Sequence, residues 1–395
     1  MARADGSAGY NSRVRQLVHN GFARGTALVL VGTVGLLAFT HLLGRIYWHD
    51  VVFALNGWYV PYDLAVFLRA GDDVLGGRSP YPDPATFAGD ANYVYPPPLA
   101  LAMTPFSALP EGQAATLFTL LGIAAVILGI WLLGVRDRRC YVVALAFPYT
   151  IESLKYGALG TFLVLVVAAL WRFRDSAAAA GLAAAGALVL KLFLWPLLPW
   201  LAFTRRWRAF AVSVGAAVVL TLSAWALIEF RGLTDYPTLL RKLSDLEASS
   251  SYSTIGVLRA LGLSSGGAQA VALVFGLALL GLAWRAATRL NDDALERDRR
   301  SFIFVLAAAL VLTPIVWQHY LALLVVPIAL ARPRLSPLWA LPLAAWPFYV
   351  MDWYDDWPDG DLAPLLSTVV FVGLVFVFSL RPRMSPARSA ELEPA

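Results

Sequence analysis

The chain has 395 residues, 59% of them hydrophobic and 14% charged, with a mean hydropathy of +0.66. Soluble domains hold about 45–50% apolar and about 25% charged residues, so a compact soluble enzyme and a disordered chain are both excluded. An integral membrane protein with many spans is left. A net charge of +5 would suit a nucleic-acid partner, but its distribution along the chain points elsewhere. The single cysteine, Cys140, closes no internal disulfide. The histidines at 19, 41, 49 and 319 lack metal-ligand spacing.

Apolar segments alternate with arginine clusters. A helix crosses a bilayer with about 17–25 apolar residues, and shorter ones cross when packed inside a bundle. This predicts twelve spans near 25–43, 112–134, 140–152, 157–171, 177–190, 193–204, 208–229, 268–288, 301–316, 318–331, 336–350 and 361–380. The first is too long and too glycine-rich at its end for a signal peptide. With the N-terminus cytoplasmic, the inner segments hold 22 of the 31 basic residues, and the outer loops are net acidic. That parity puts both termini in the cytoplasm. Including residues 99–109 as a span would reverse every later loop, so this stretch reads as an outer-surface or re-entrant helix, closed by Pro105 and Pro110.

The organisation expected is an all-α polytopic bundle in one domain. A cytoplasmic tail covers 1–24, the membrane domain 25–380 and a second cytoplasmic tail 381–395. The long outer loops at 44–111 and 230–267 are where function concentrates, and interfacial helices are expected in the first.

Asp63 stands alone among apolar neighbours (YVPYDLAVFL), where a charge is a functional candidate by default. It also reads as the N-cap of a helix over 64–75, with Pro61 fixing the entry. Lys191, in LVLKLFLWP, suits either a lipid phosphate or snorkelling to the interface; Lys155 suits a pair with Glu152. His319 shares a short polar cluster with Gln318 and Tyr320 on the same membrane face, and reads as a site residue or as a satisfied core histidine. The serine run 249–253, with Arg241, Lys242, Asp245 and Arg259, offers hydroxyls and cations for sugar or phosphate, or is a flexible polar loop. The acidic turn MDWYDDWPDGD (351–361) lacks the spacing of a calcium loop.

The run from Tyr62-Asp63 through Gly76, Ser79-Pro80-Tyr81 and YVYPPPLALAMTPFSALP resembles glycosyltransferase family 87. AGLAAAGALVLKLFLWPLLPWLAFTRRWRA and TPIVWQHYLALLVVP resemble later segments of the same family, in the same order, between about residues 25 and 350. Tyr156-Gly157-Ala158-Leu159-Gly160 stands where the family often has Gly-Gln-x-Asn.

The resemblance implies the GT-C architecture and transfer of a sugar, mannose or another hexose or pentose, from a polyprenyl-phosphate donor to a lipid or glycan acceptor at the outer face of the cell membrane. It implies Asp63 as catalytic base in an inverting displacement and Lys191 and His319 at the donor phosphate. Arg259 is added to the phosphate set. Tyr62, Arg69, Tyr81, Tyr95, Gln318 and Tyr320 are the expected substrate contacts. No nucleotide-binding glycine loop is present, in keeping with a lipid-linked donor; a divalent cation is left undecided. The competing classes are a transporter or flippase of lipid-linked saccharides, and an inactive relative.

Overall fold

The computed structural model describes residues 49–249, 251–289, 293–345 and 362–381. The expected spans at 25–43 and the acidic turn 351–361 lie outside them. The described residues from Asp50 onward form one compact unit. It is all-helical, with no strand among the described residues.

The segment before residue 111 carries α1 (Tyr62–Leu75), two short 3-10 turns and α2 (Pro97–Ser107). At 1.5 Å per residue the 11-residue α2 is about 16 Å long, too short to cross a bilayer. It continues through Pro105 to Ser107, so Pro105 does not close it; Pro110 then stands as N-cap of the next helix, α3 (Glu111–Leu132). With α9 (Trp207–Leu227) and α12 (Ser265–Thr288), α3 is one of three helices among the described residues long and apolar enough to cross a membrane, or four if the bent pair 148–155 and 160–172 forms one span.

The expected span 140–152 is two helices, α4 (Arg138–Leu145) and α5 (Pro148–Lys155). Proline lacks the N–H that a continuous helix needs and sits well at a helix start. Pro148 accordingly takes the first position of α5. After α5 the chain bends by 117° into α6 (Gly160–Arg172). Gly157 makes the turn at φ +64°, where a Cβ would strike Leu64 and Pro61.

The remaining helices are α7 (Ala177–Leu190), α8 (Leu197–Phe203), α10 (Tyr236–Glu247), α11 (Thr254–Ala260), α13 (Ala294–Leu312), α14 (Val325–Ala331), α15 (Pro337–Ala340) and α16 (Leu362–Ser379). The segments 193–204 and 318–331 are thus 3-10 turns leading into seven-residue helices, the first run broken at Pro196 and the second changing from 3-10 to α between Leu324 and Val325. The apolar stretch from 336 is α15 followed by a 3-10 turn through Ala345.

One end of the bundle is a charge network. Asp298 accepts from both Arg174 (Nε–Oδ2 3.0 Å) and Arg206 (Nη1–Oδ1 3.0 Å, Nη2–Oδ2 2.7 Å), and Arg206 also reaches Asp175 at 2.8 Å. The two guanidinium groups lie over Trp171 and Trp200, at 4.5 and 5.3 Å from the ring centroids. Fully buried Arg299 pairs with Glu296 and donates to the carbonyls of Ser379 and Arg381. Asp137 accepts from Leu335 N at 3.0 Å, joining two further arginine-rich turns; its hydrogen bonds from Arg139 and Leu335 hold that carboxyl well below the usual range. Helices α6, α7, α9 and α13 each have one end in or beside the Arg174–Asp298–Arg206 network, and their other ends lead to the cavity described next.

Candidate functional site

The α1 N-terminus is built without a side-chain cap. Pro61 is the N-cap residue, and Asp63 lies inside the first turn. The orphan N–H groups of a helix start need an acceptor. Here the Tyr156 carbonyl supplies it, 2.8 Å from Asp63 N and 3.4 Å from Leu64 N. The capping reading of Asp63 is therefore corrected: the backbone of the α5–α6 bend does that work, and the Asp63 side chain lines a cavity of about 960 Å³.

His319 enters the same cavity from the 3-10 turn Gln318–Leu324. Its Nε2 is 3.9 Å from Asp63 Oδ2. Gly160 fixes this turn, because any Cβ there would collide with the His319 carbonyl oxygen.

Lys191 sits at the turn where α7 ends, in extended backbone (φ −152°, ψ 113°). Its ammonium donates to two phenol oxygens, Tyr95 at 3.1 Å and Tyr320 at 2.5 Å. It lies 4.4 and 4.0 Å from the centroids of the same rings, a cation–π arrangement. Phe193 stacks on Tyr320 at 5.0 Å, and Tyr95 packs edge-on against Phe67 at 5.0 Å. Burial pushes the Lys191 ammonium down from its ordinary range, against the opposing pull of the Asp63 carboxylate. The buried cation is held by neutral phenols, an arrangement that suits reception of an anion.

The segment 230–267 closes the cavity. Tyr236, Leu240, Leu243, Ser244 and Glu247 of α10 line it. Tyr252 N donates to Val316 O at 2.8 Å, and Gln318 Nε2 donates to Tyr252 OH at 2.6 Å. Ser251 and Ser253 are fully buried; both donate to the Pro314 carbonyl, and Ser253 also caps α11. These two serines tie the loop to the segment before His319. Lys242 is spent in the same way, donating to Pro84 O at 2.6 Å.

Of the expected site residues, Tyr62, Asp63, Tyr95, Lys191, Gln318, His319 and Tyr320 share this cavity. Arg69 and Tyr81 instead line a second hollow of about 190 Å³ on the other side of Val66. Arg69 is exposed and donates to Ala91 O at 3.3 Å. Tyr81 stacks on Trp225 at 5.1 Å and donates to Tyr95 O at 2.8 Å, bracing the segment that carries Tyr95. Arg259 is in the last turn of α11 and is not among the lining residues. Lys155 faces Asp50 at 4.0 Å. Among the described residues no three His, Cys, Asp or Glu side chains cluster as a metal site needs.

Sequence reasoning did not place Glu152, Tyr156, Tyr236 and Glu247 in the cavity. Glu152 and Tyr156 occupy one face of α5 four residues apart, a helical-neighbour signal that a continuous span over 140–152 obscures.

The model of glycosyltransferase family 87 matches residues 93–327, and the chain belongs to that family. It is 30% identical over 182 residues to an alpha-(1->3)-arabinofuranosyltransferase of Mycobacterium tuberculosis, in strains CDC 1551 / Oshkosh and ATCC 25618 / H37Rv alike. The match covers 42% of this chain and 40% of each relative, so the chain spans less than half the length of the curated relatives it matches. No solved structure matches.

Proposed function

We propose that this family 87 glycosyltransferase moves a sugar from a polyprenyl-phosphate donor to a lipid or glycan acceptor, with Asp63 as general base. The observation that carries the reading is the convergence of Asp63, His319 and Lys191 on one cavity. A carboxylate that can take a proton and a cation that can receive a phosphate line the same space, which supports the reading.

The acceptor oxygen attacks the anomeric carbon while Asp63 takes its proton. The bond from that carbon to the lipid phosphate breaks, and the phosphate leaves with the electron pair. Lys191 stabilises the developing charge; Tyr95 and Tyr320 hold the ammonium in place. His319, beside Asp63, orients the carboxylate and reaches toward the same phosphate. Displacement in one step inverts the anomeric centre. Leu190, Leu192, Phe193 and Trp195 give the cavity an apolar wall beside Lys191, which suits a lipid attached to the phosphate. Arg69 and Tyr81 act as outlying substrate contacts or as bracing. The arabinofuranosyl relative makes a pentofuranose the first sugar to test, with mannose beside it.

The cavity is assigned to the outer membrane face and both termini to the cytoplasm. Support comes from the opposite bundle end, where Arg174, Arg206 and Asp298 join three loops that the charge rule places inside.

The test is transfer by purified protein in lipid nanodiscs, offered a polyprenyl-phosphate arabinose or a polyprenyl-phosphate mannose. Product from either donor supports the reading, and its loss in Lys191→Ala supports the phosphate assignment. No product from either donor, with a folded chain, would count against it.

A further inference from the structure

Glu152 is a carboxylate in the same cavity as Asp63, and neither the proposed displacement nor its phosphate site uses it. It is 9% exposed, on a helix whose residues 148–155 are all buried. Taking a carboxylate out of water is costly, and an ionisable group that lines a cavity within a membrane bundle marks a functional position.

Its placement is specific. Glu152 precedes Tyr156, the C-cap of α5, by four residues, so the two stand on one face of the helix, about 6 Å apart along the axis. Tyr156 is the residue whose carbonyl holds the start of α1 and thereby Asp63. Glu152 therefore lies one turn behind the Asp63 anchor, on the wall that both helices share. The bend at Gly157 and the close approach of Gly160 to His319 lock α5 against both neighbours.

An ionised carboxylate only accepts hydrogen bonds. The groups on a saccharide that meet this requirement are its hydroxyls, and the phosphate is repelled toward Lys191. Resting on the function proposed above, we infer that Glu152 is a sugar-binding residue, accepting a hydrogen bond from a non-reacting hydroxyl of the saccharide in the cavity. The cavity then has two poles. Carboxylates read hydroxyls at one, and Lys191 with its two phenols receives the phosphate at the other. A site built to accept from a hydroxyl strongly rejects an analogue without it, so Glu152 contributes to the choice of sugar.

The experiment compares wild type, Glu152→Gln and Glu152→Asp with whichever of the two donors above wild type turns over, each measured for donor and acceptor KM and for kcat. If wild type transfers nothing, the function fails first and Glu152 is not at issue. Loss of a hydrogen bond to a charged group predicts a rise of about 10- to 100-fold in one KM, with kcat reduced less. A rise in donor KM places the hydroxyl on the donor sugar, and a rise in acceptor KM on the acceptor. Monodeoxy donors and acceptors test the same contact without altering the chain: one of them loses a similar factor with wild type and no further factor with Glu152→Gln. Unchanged KM values in folded Glu152→Gln would overturn the proposal, and so would a fall in kcat alone. If Glu152→Gln does not fold, the deoxy series with wild type and Glu152→Asp decides. A series in which no hydroxyl matters overturns the inference.

Discussion

Asp63 Oδ2 and His319 Nε2 face each other at 3.9 Å, although they come from the first and last thirds of the chain. Two backbone contacts make the meeting possible. The Tyr156 carbonyl holds the first N–H groups of α1, and Gly160 lets the His319 carbonyl approach the start of α6. The α5–α6 bend therefore positions both groups, and a bulky residue at 160 should separate them. Gly160→Val is expected to abolish transfer while leaving the arginine network at the far end intact. Transfer by that variant at the wild-type rate would contradict this.

Topology is tested by cysteine labelling. Asp83 and Asp293 are both exposed, so membrane sidedness alone decides whether a probe reaches them. The one native thiol, Cys140, is fully buried and stays silent. An impermeant reagent applied outside should label Asp83→Cys and miss Asp293→Cys. The reverse pattern would overturn the orientation.

The arginine network predicts unequal costs for two aspartates. Asp298 is 15% exposed and bridges two guanidinium groups, whereas Asp175 is 74% exposed and meets one. Asp298→Asn should lower stability by about 1.5–3 kcal/mol, the range for hydrogen bonds to charged groups. Asp175→Asn should cost about 0–1 kcal/mol. Thermal unfolding in detergent checks both, and equal losses would contradict the assignment.

Lys191 gives a pH dependence. Burial lowers its folded-state pKa, so the ammonium is present at low pH and is lost as pH rises through that lowered value. Donor affinity should fall over the same interval, earlier than an ordinary lysine would allow. Lys191→Arg, charged throughout, should remove that alkaline limb even where its different shape weakens binding. An identical limb in both proteins would assign the titration to another group.

The helical class, the arginine-bounded segments and the residues Asp63, Lys191 and His319 were legible in the sequence, because charges stand out against apolar runs. The short α2 agrees with a stretch expected not to span, its 11 residues being too few to cross a bilayer. Less visible were the breaks. Hydropathy averages across Pro148, Pro196 and the 3-10 turn at 318–324, so it reports continuous spans where backbone hydrogen bonding stops. Glu152 was hidden for that reason: only a separate α5 bent away from α6 turns it into the cavity. Arg69 and Tyr81, both in the first loop's motif, fall in a neighbouring hollow because alternate sides of α1 and of the 93–95 segment face different spaces.

Asp63 carries the central claim, and its asparagine variant is the most direct test. Asparagine keeps the size of the side chain, and the Tyr156 carbonyl still caps α1, so folded yield should match wild type. The change removes the basic oxygen. Transfer from a polyprenyl-phosphate sugar in nanodiscs should then fall by about 10²–10⁴-fold, the usual contribution of a general base. Asp63→Glu should also lose about 10²-fold, through displacement of the carboxylate by about 1 Å. Full transfer by folded Asp63→Asn would contradict the account and return the search for a base to Glu152 and Glu247.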